Sequence, residues 1–531
     1  MTVENATLAP VPEAGTRTRR RLPRHFLPVA ILTLAMAALY AVFSLTLQHT
    51  TQTSSYDLVI FDEAIRSYAH LQPGIAIIKG DHNGFGPNFS ELGDHFSPMI
   101  ALLAPFYWIY NGPQTLLVAQ AVLFALALPP LWVYTRRALG GGRKAVIAAY
   151  LVAIAYALSW PIVNAAAFDF HEAAFAPVLT ALIFERFQAG KLKTALLACF
   201  GLLLVKEDMG FYVAGVGIFL LFQDIILRKS TVNRQKLIGV GLIVGGFIAV
   251  VVSVYILIPA AGGKSSYYWA YTELGPNGPA AATYMATHPL TTAHILVSPS
   301  EKAHTYLWLF APFLFLSLLS PAVIPVLPLL LERMLGVKYP DWWGLPYHYN
   351  SYLVITLAIA AVDGAARVDR WVRKIKMKEL KLGDRLAAGW IPVIATGLMA
   401  VIAIAVVPRF PLDQMLHPSF YKRTAADNAA IAAANAVPSG VTVEAMSNIG
   451  PQLTGRDTVL LWDGDGTTSK YEPEPPWVVC SPTIRTFSFL GSIAEQASAV
   501  KKLQSRGYVT VFDQNGYLVM HAPGVKYDAK R

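Results

Sequence analysis

Charged side chains are scarce in this chain of 531 residues, of which only 14% are Asp, Glu, Lys or Arg. Soluble globular proteins usually carry about 25%. Because 54% of the residues are hydrophobic, this scarcity excludes a water-soluble enzyme, a disordered chain and a coiled coil. Cysteine is also rare. Cys199 lies in an apolar segment and Cys480 in the C-terminal tail, so the two are not expected to meet and no disulfide framework is predicted.

The few charges leave long stretches that contain none. Asp, Glu, Lys and Arg are absent from residues 25–56, 95–135, 145–168, 237–263, 305–331, 342–362 and 386–408. A bilayer span needs roughly 20 apolar residues, and most of these stretches are long enough. The sequence therefore predicts an all-α polytopic membrane protein with about 11 transmembrane helices. The spans are expected near 26–47, 115–135, 145–163, 171–187, 193–206, 209–226, 237–259, 304–319, 321–335, 350–366 and 387–407.

The net charge of +10 is concentrated at the ends of the apolar stretches, which argues for a bilayer and against nucleic acid as the partner. Residues 1–24 end in a basic run, so the positive-inside rule predicts a cytoplasmic N-terminal tail. The loop 49–98 is rich in acids and is expected outside. We therefore expect a multi-pass protein of the plasma membrane, with a transmembrane domain over 25–407.

Beyond residue 408 the composition changes to that of a small soluble domain, expected on the extracytoplasmic side. Helices are predicted near 420–436 and 492–505. Strands are predicted over Val441–Met446, Thr458–Trp462, Val478–Cys480, Tyr508–Phe512 and Tyr517–His521. Asn515-Gly516 between the last two is a strong hairpin signal. Residues 408–531 are thus predicted to form an α/β domain.

Polar residues cluster beside the predicted spans on the outer side. The clusters contain Asp57 and Asp62, then Asp94 and His95, then Asp169, His171 and Glu172, and finally Lys206, Glu207 and Asp208. An ionisable group at membrane depth costs about 2.5–3.5 kcal/mol, so it needs a partner or water. Lys206 and its acidic neighbours therefore form either a tight interfacial turn that reaches water, or the wall of a cavity for an anionic ligand.

Asp57 is the first charged residue after the uncharged stretch 25–56, at the predicted interface. A carboxylate that is partly desolvated there can act as a general base. The alternative is a solvated loop acid or a helix N-cap. Asp62 follows five residues later, about 140° around a helix, so the two acids need not share a face.

The histidines near these acids have two interpretations. The sets around His95 and His171 resemble metal ligands, but they lack a regular spacing such as His-Glu-x-x-His, and hydrogen bonding is the alternative role. We therefore predict no cofactor, with a divalent metal as an alternative that no motif supports. His348 lies in the aromatic segment 342–350, which suits either an aromatic belt or a rim that stacks on sugar and contacts phosphate.

Taken in order, these pieces resemble the domain-of-unknown-function 2079 family of prokaryotic membrane proteins. The resemblance rests on YDLVIFD at 56–62, LGDHFSP at 92–98, FDFHE at 168–172, KED at 206–208, PYHY at 346–349, VPSG at 437–440 and LTGR at 453–456. It covers the chain from about 50 to 520. Members often have Pro between the His and the Glu of the third motif, whereas here Glu172 follows His171 directly.

The family is grouped with the GT-C superfamily of membrane glycosyltransferases. The resemblance implies an inverting transfer of sugar from a polyprenyl-phosphate donor to an extracytoplasmic glycan, lipid or protein acceptor. It also implies a catalytic acid in the first outer loop, at Asp57 or, next, Asp62. On this interpretation the donor phosphate is contacted from Asp94, His95, Asp169, His171, Glu172, Lys206, Glu207, Asp208 and His348.

Two other functions fit the same sequence. A transporter or flippase of a lipid-linked saccharide would also line its pathway with buried charges, although no inverted repeat is evident. A non-catalytic assembly protein would use its external domain for binding. In that case alanine at Asp57, Asp94 and Lys206 would be silent.

Overall fold

A computed structural model describes residues 25–227, 232–376, 389–462, 469, 472, 474–485 and 492–526. The predicted cytoplasmic tail, residues 1–24, lies outside the described residues.

Helices dominate the chain up to residue 405. They are α1 (Phe26–His49), α2 (Ser55–Ala69), α3 (Ile77–His82), α4 (Ala104–Tyr107), α5 (Gln114–Leu126), α6 (Leu128–Ala138), α7 (Arg143–Ala157), α8 (Trp160–Ala167), α9 (Phe175–Gln188), α10 (Leu192–Leu203), α11 (Met209–Leu227), α12 (Val232–Val252), α13 (Ile258–Ala260), α14 (Gly278–Thr287), α15 (Pro289–Val297), α16 (Ser300–Phe310), α17 (Val326–Leu335), α18 (Pro340–Trp343), α19 (Ser351–Lys376) and α20 (Ile391–Ala405). A π-helical turn, Ser253–Leu257, joins α12 to α13. The 3-10 helices are Glu91–Gly93, Pro98–Leu103, Glu172–Ala174, Ala311–Phe313, Leu316–Leu319, Pro321–Val323, Val407–Arg409, Pro411–Leu416 and Pro418–Tyr421.

Within the described residues, five helical stretches are long and apolar enough to cross a membrane. They are Phe26–His49, Gln114–Ala138, Gln235–Ala260, Ser351–Lys374 and Ile391–Arg409. The pair α7 and α8, bent by 41°, makes a sixth if it is one broken span. Shorter apolar helices lie over 98–107, 192–203 and 209–222. The multi-pass architecture is confirmed, while the count of eleven spans stays a prediction.

The predicted spans 304–319 and 321–335 differ most from the structure. Helix α16 ends at Phe310, and α17 begins only at Val326. Between them Leu314 and Phe315 adopt the left-handed conformation, and short 3-10 turns replace the helix. Prolines explain the break, because each removes a backbone donor and clashes with the preceding turn; Pro312, Pro321 and Pro325 all fall in this stretch.

The C-terminal part forms a five-stranded sheet in the order β2-β1-β3-β5-β4. Its elements are α21 (Ala425–Ala436), β1 (Thr442–Ala445), α22 (Gly450–Leu453), β2 (Thr458–Leu461), β3 (Trp477–Cys480), α23 (Ile493–Ser505), β4 (Val509–Gln514) and β5 (Tyr517–His521). Strand β1 is parallel to β2 and β3, while β5 is antiparallel to β3 and β4. The five predicted strands are confirmed.

Two local signals set element boundaries in this part. Asn515 and Gly516 have φ of 47° and 85°, as a hairpin turn with two left-handed residues requires. The predicted helix 420–436 begins later, at Ala425, because Thr424 forms a capping box with Asp427. Residues Pro418–Tyr421 form a 3-10 turn instead.

The sheet packs directly on helix α2 of the first loop. Val59 and Ile60 of α2 belong to the same buried apolar cluster as the sheet residues Val443 and Val479. At the start of α2, the Ser55 hydroxyl donates to the backbone carbonyl of Ser447 (2.8 Å). The C-terminal sheet therefore holds the helix that carries Asp57.

Candidate functional site

Helix α2 presents Asp57 in its first turn, next to the segment 168–172 between α8 and α9. The backbone N–H of Ser54 donates to the Asp169 carboxylate at 3.0 Å, and the Ser54 hydroxyl donates to the same carboxylate. Nε2 of His171 lies 3.5 Å from Oδ1 of Asp57. Asp57 is one-quarter exposed, so its carboxylate faces both the histidine and open space.

The surroundings of His171 fix its ring orientation. Nδ1 lies 3.0 Å from the backbone carbonyl oxygen of Asp169, so Nδ1 carries the proton and donates. Its backbone N–H donates to Oε1 of Gln120 (3.1 Å). Burial alone would lower the pKa of His171, but its hydrogen bond to the Asp57 carboxylate and the charge of that group raise it above the usual value. Nε2–H of the imidazolium is then directed at Asp57.

His348 stacks on His171, with the two ring centroids 3.7 Å apart. It is 4% exposed, and within the described part of the chain neither ring nitrogen has a hydrogen-bond partner. Burial lowers its pKa well below the usual value, and the positive charges of His171 and Lys206 lower it further. His348 is therefore a neutral ring that has one donor and one acceptor to offer.

The predicted cluster Lys206-Glu207-Asp208 forms the turn between α10 and α11. Nζ of Lys206 lies 2.9 Å from the buried Glu172 carboxylate. Glu207 accepts from Nδ1 of His95 (2.9 Å) and from the backbone N–H of Phe96 (3.0 Å). This turn thus joins the second predicted cluster to the third.

His95 is a cation in this arrangement. Burial and the nearby Lys206 would lower its pKa, but the carboxylates of Glu207 and Asp94 outweigh them and raise it to about 9. The pKa of Asp208 is shifted upward, in the opposite direction to that of Glu207. Burial raises it to about 8, although the charge of Lys206 lowers it. Its Oδ1 is buried without a hydrogen-bond partner among the described residues.

Lys79 was not among the predicted site residues, although it is one of only two Lys or Arg residues in the acidic loop 49–98. It is 2% exposed and lies 2.9 Å from the Asp94 carboxylate. Lys79 also donates to the hydroxyls of Tyr56 (2.9 Å) and Tyr268 (3.0 Å). Tyr268 in turn donates to Asp94 at 2.6 Å and stacks on the His95 ring. Asp94 and His95 are thereby held in a network of buried charges and phenols.

Arg333 was not predicted either. It is 2% exposed, and Nε donates to the carbonyl oxygen of Trp342 (2.6 Å) while Nη2 donates to Asn350 (3.2 Å). Nη1 has no hydrogen-bond partner within the described residues. Only its place in the charge-poor stretch before the aromatic segment 342–350 could have singled it out.

Asp62 lies apart from this cluster. Its buried carboxylate accepts from the hydroxyls of Tyr107 (2.6 Å) and Thr454 (2.8 Å) and forms an ion pair with Arg66. It therefore ties α2 to α4 and to the C-terminal part, while Asp57 on another side of the helix contacts His171. The five-residue spacing did not require the two acids to share a face, which agrees with this separation.

Aromatic rings border the cluster. Tyr347 contacts Phe168 (ring centroids 4.7 Å apart), and Trp342 contacts Tyr339 (5.0 Å) and Tyr268 (6.4 Å). Trp342 and Tyr347 are both partly exposed. Among the residues that the structure describes, no group of three His, Cys, Asp or Glu side chains is arranged to hold a metal ion.

The overall fold resembles that of a known membrane protein. The crystal structure of ArnT from Cupriavidus metallidurans bound to undecaprenyl phosphate matches with a TM-score of 0.52 and 11% sequence identity, over 93% of this chain and 98% of that one. The chain therefore has an ArnT-like fold. No curated protein sequence matches the chain.

The sequence profile of one family matches most of the chain. This family is described as "Predicted membrane protein (DUF2079)", and the match extends over residues 48–519. The matched range contains every site residue named above. The chain belongs to the DUF2079 family of membrane proteins.

Proposed function

We propose that this protein is an integral-membrane glycosyltransferase that transfers a sugar from a polyprenyl-phosphate donor to an acceptor hydroxyl outside the cytoplasm. The observation that carries the proposal is the meeting of Asp57, His171 and His348 with the Lys206–Glu172 pair, in a fold like that of ArnT. The ArnT crystal structure contains bound undecaprenyl phosphate, which supports the donor class.

Asp57 is the proposed general base. It is one-quarter exposed, so an acceptor hydroxyl can reach it, and His171 holds its carboxylate from the buried side. Asp57 takes the hydroxyl proton while the hydroxyl oxygen forms a bond to the anomeric carbon. The bond from that carbon to the phosphate oxygen breaks, and the polyprenyl phosphate leaves with the bonding electrons. Attack opposite the leaving group inverts the anomeric carbon.

The leaving phosphate needs positive charge and hydrogen-bond donors. Lys206, whose side chain is 12% exposed, supplies an ammonium group, and the neutral His348 supplies one ring N–H. Arg333 offers Nη1, the guanidinium nitrogen for which the described residues provide no acceptor. Glu172 and Asn350 hold Lys206 and Arg333 in place.

The aromatic rim would contact the sugar. Trp342 and Tyr347 are partly exposed beside the cluster, and rings of this kind stack on the apolar faces of sugars. The proposed orientation is argued from α1, because residue 26 follows the basic tail and residue 49 leads into the loop that carries Asp57. By the positive-inside rule the site faces outward, where glycan, lipid or protein acceptors are found.

The test is a transfer assay in which the full chain is expressed in membranes that contain no endogenous copy of the protein. A panel of undecaprenyl-phosphate sugars, labelled in the sugar, is offered, and the label that moves to an acceptor is measured. D57N should lower the transfer rate by about 10²–10⁴-fold, which is the contribution typical of a general base. The matched control is D413N, because Asp413 is a half-buried acid that pairs with an exposed histidine, His417, away from the cluster.

Two results would overturn the proposal. Transfer at the wild-type rate by folded D57N would remove Asp57 from the reaction. Movement of an intact labelled lipid-linked sugar between the leaflets of proteoliposomes, without transfer, would instead establish a flippase.

A further inference from the structure

A second surface lies at the opposite end of the membrane helices from Asp57. Helices α1, α6 and α7 border a groove of about 1000 Å³, lined mainly by apolar side chains. Helix α1 begins at this groove with Phe26, contains 24 residues and ends at His49 beside the first loop. At 1.5 Å per residue the two ends are about 36 Å apart, so the groove is separate from the proposed active site.

Two arginines stand at the mouth of the groove. Arg136 lies in the last turn of α6 and over the Trp132 ring at 5.7 Å, and Arg143 begins α7. Among the described residues that line the groove, none is acidic. Neither arginine forms an ion pair with any residue that the structure describes, whereas the adjacent Arg137 pairs with Glu185 at 3.0 Å. The groove therefore combines an apolar wall with unneutralised positive charge at one end.

We propose that this groove binds one anionic phospholipid, whose phosphate meets Arg136 and Arg143 and whose acyl chain lies along the apolar wall. Charge complementarity favours such a lipid over a peptide segment of this chain, because residues 17–24 that precede α1 are themselves basic. Trp132 suits the same depth, since tryptophan is enriched where headgroups meet acyl chains. Basic pockets between helices on the cytoplasmic side are a recurrent form of lipid headgroup site.

The groove is also shaped for a ligand larger than a free ion. Val29 and Val133 extend the wall away from the arginines, and both belong to apolar parts of their helices. Inorganic phosphate could meet the guanidinium groups but would leave this wall uncovered. A phospholipid covers both parts.

Native mass spectrometry of the detergent-solubilised full chain tests this inference. Dioleoyl phosphatidylglycerol and dioleoyl phosphatidylcholine are the probes, and retained lipid is counted as each is titrated. Wild-type protein should retain one phosphatidylglycerol in preference to phosphatidylcholine. The double variant R136A/R143A should weaken that retention about 30-fold, the effect of two basic groups at an anionic surface.

The matched control removes the same two charges elsewhere at this end. Arg370 and Lys374 are exposed on α19, and R370A/K374A should change retention by less than about threefold. They lie at the same end of the molecule, because Asp369 accepts from the N–H of Gly389, next to Trp390, and the Lys144 ammonium lies 4.8 Å over the Trp390 ring.

A second variant keeps the test decisive if loss of the arginines impairs folding. V133W keeps both arginines but fills the groove, and it should lose the bound phosphatidylglycerol as well. Equal loss in the α19 control, displacement of the lipid by inorganic phosphate, or full retention by folded V133W would each overturn the inference.

Discussion

The contact between the C-terminal sheet and the first-loop helix predicts a large effect from one added methyl group at Gly450. A Cβ at this position would lie 2.0 Å from Oγ of Ser55, 3.0 Å from its Cβ and 3.1 Å from Cγ1 of Val459. Ordinary contact begins near 3.4 Å, so the Ser55 hydroxyl must give way by about 1.4 Å, and α22 and the start of α2 must separate by about 0.4 Å to relieve the contact with its Cβ.

This separation has a calculable cost. Overpacking of a tight contact costs about 1–3 kcal/mol, and loss of the hydrogen bond from Ser55 to Ser447 adds about 1 kcal/mol. G450A should therefore lower the thermal stability of the detergent-solubilised protein. Thermal unfolding is measured by tryptophan fluorescence. Because Asp57 lies two residues beyond Ser55, its displacement should also slow sugar transfer, by about 100-fold for a shift of about 1 Å.

The control is Gly455, where a Cβ would meet only the carbonyl oxygen of Asn111 at 3.4 Å. G455A should leave both stability and transfer close to wild type. A double-mutant cycle sharpens the result. S55A removes the oxygen that the new methyl group would strike. The loss of unfolding free energy in G450A/S55A should therefore be smaller than the sum of the losses in the two single variants, by at least about 1 kcal/mol. Additive effects, within about 0.5 kcal/mol, would refute the proposed contact.

Two further predictions concern the buried charges. The pKa of His95 is raised to about 9 because Glu207 and Asp94 outweigh the effects of burial and Lys206. A raised pKa in the folded state means that the stabilisation is complete below the unfolded value near 6.5 and is lost as the pH rises through 9. Melting temperatures of wild type should therefore fall between pH 6.5 and 9, and H95N should lack that fall; the same slope in both proteins would assign it to other groups. K206M should destabilise the protein by about 3–5 kcal/mol, because it leaves the Glu172 carboxylate buried without its partner. K206M/E172Q should recover much of this loss, and a double variant no more stable than K206M would contradict a charge-based cause.

Local features of the fold followed from the sequence. The five strands and the Asn515-Gly516 hairpin were predicted because alternation and turn residues act over a few neighbouring positions. The apolar stretches likewise predicted helices, and five of the predicted spans coincide with helical stretches that are long and apolar enough to cross a membrane. The stretch 304–335 differs most, since apolarity alone does not say where Pro312 and Pro321 interrupt the helices.

The composition of the site was only partly predictable. Asp57, His171 and Lys206 were identified because each charge is conspicuous in a chain that has so few. Lys79 and Arg333 were not, because their importance depends on burial and on partners from distant segments, such as Tyr268 for Lys79. The separate surroundings of Asp57 and Asp62 depend on which side of α2 the C-terminal sheet covers.

Hydrophobic runs and turn residues were enough to establish a polytopic membrane protein with a small C-terminal sheet and a cluster of acids and cations beside the spans. They carry that information locally, because the cost of placing a charge in lipid acts on each residue separately. Which charges meet depended on the packing of the whole chain. Asp57 finds His171 more than a hundred residues away, and the sheet from the end of the chain holds the helix on which Asp57 lies, because packing brings together segments whose order in the sequence says nothing about their distance.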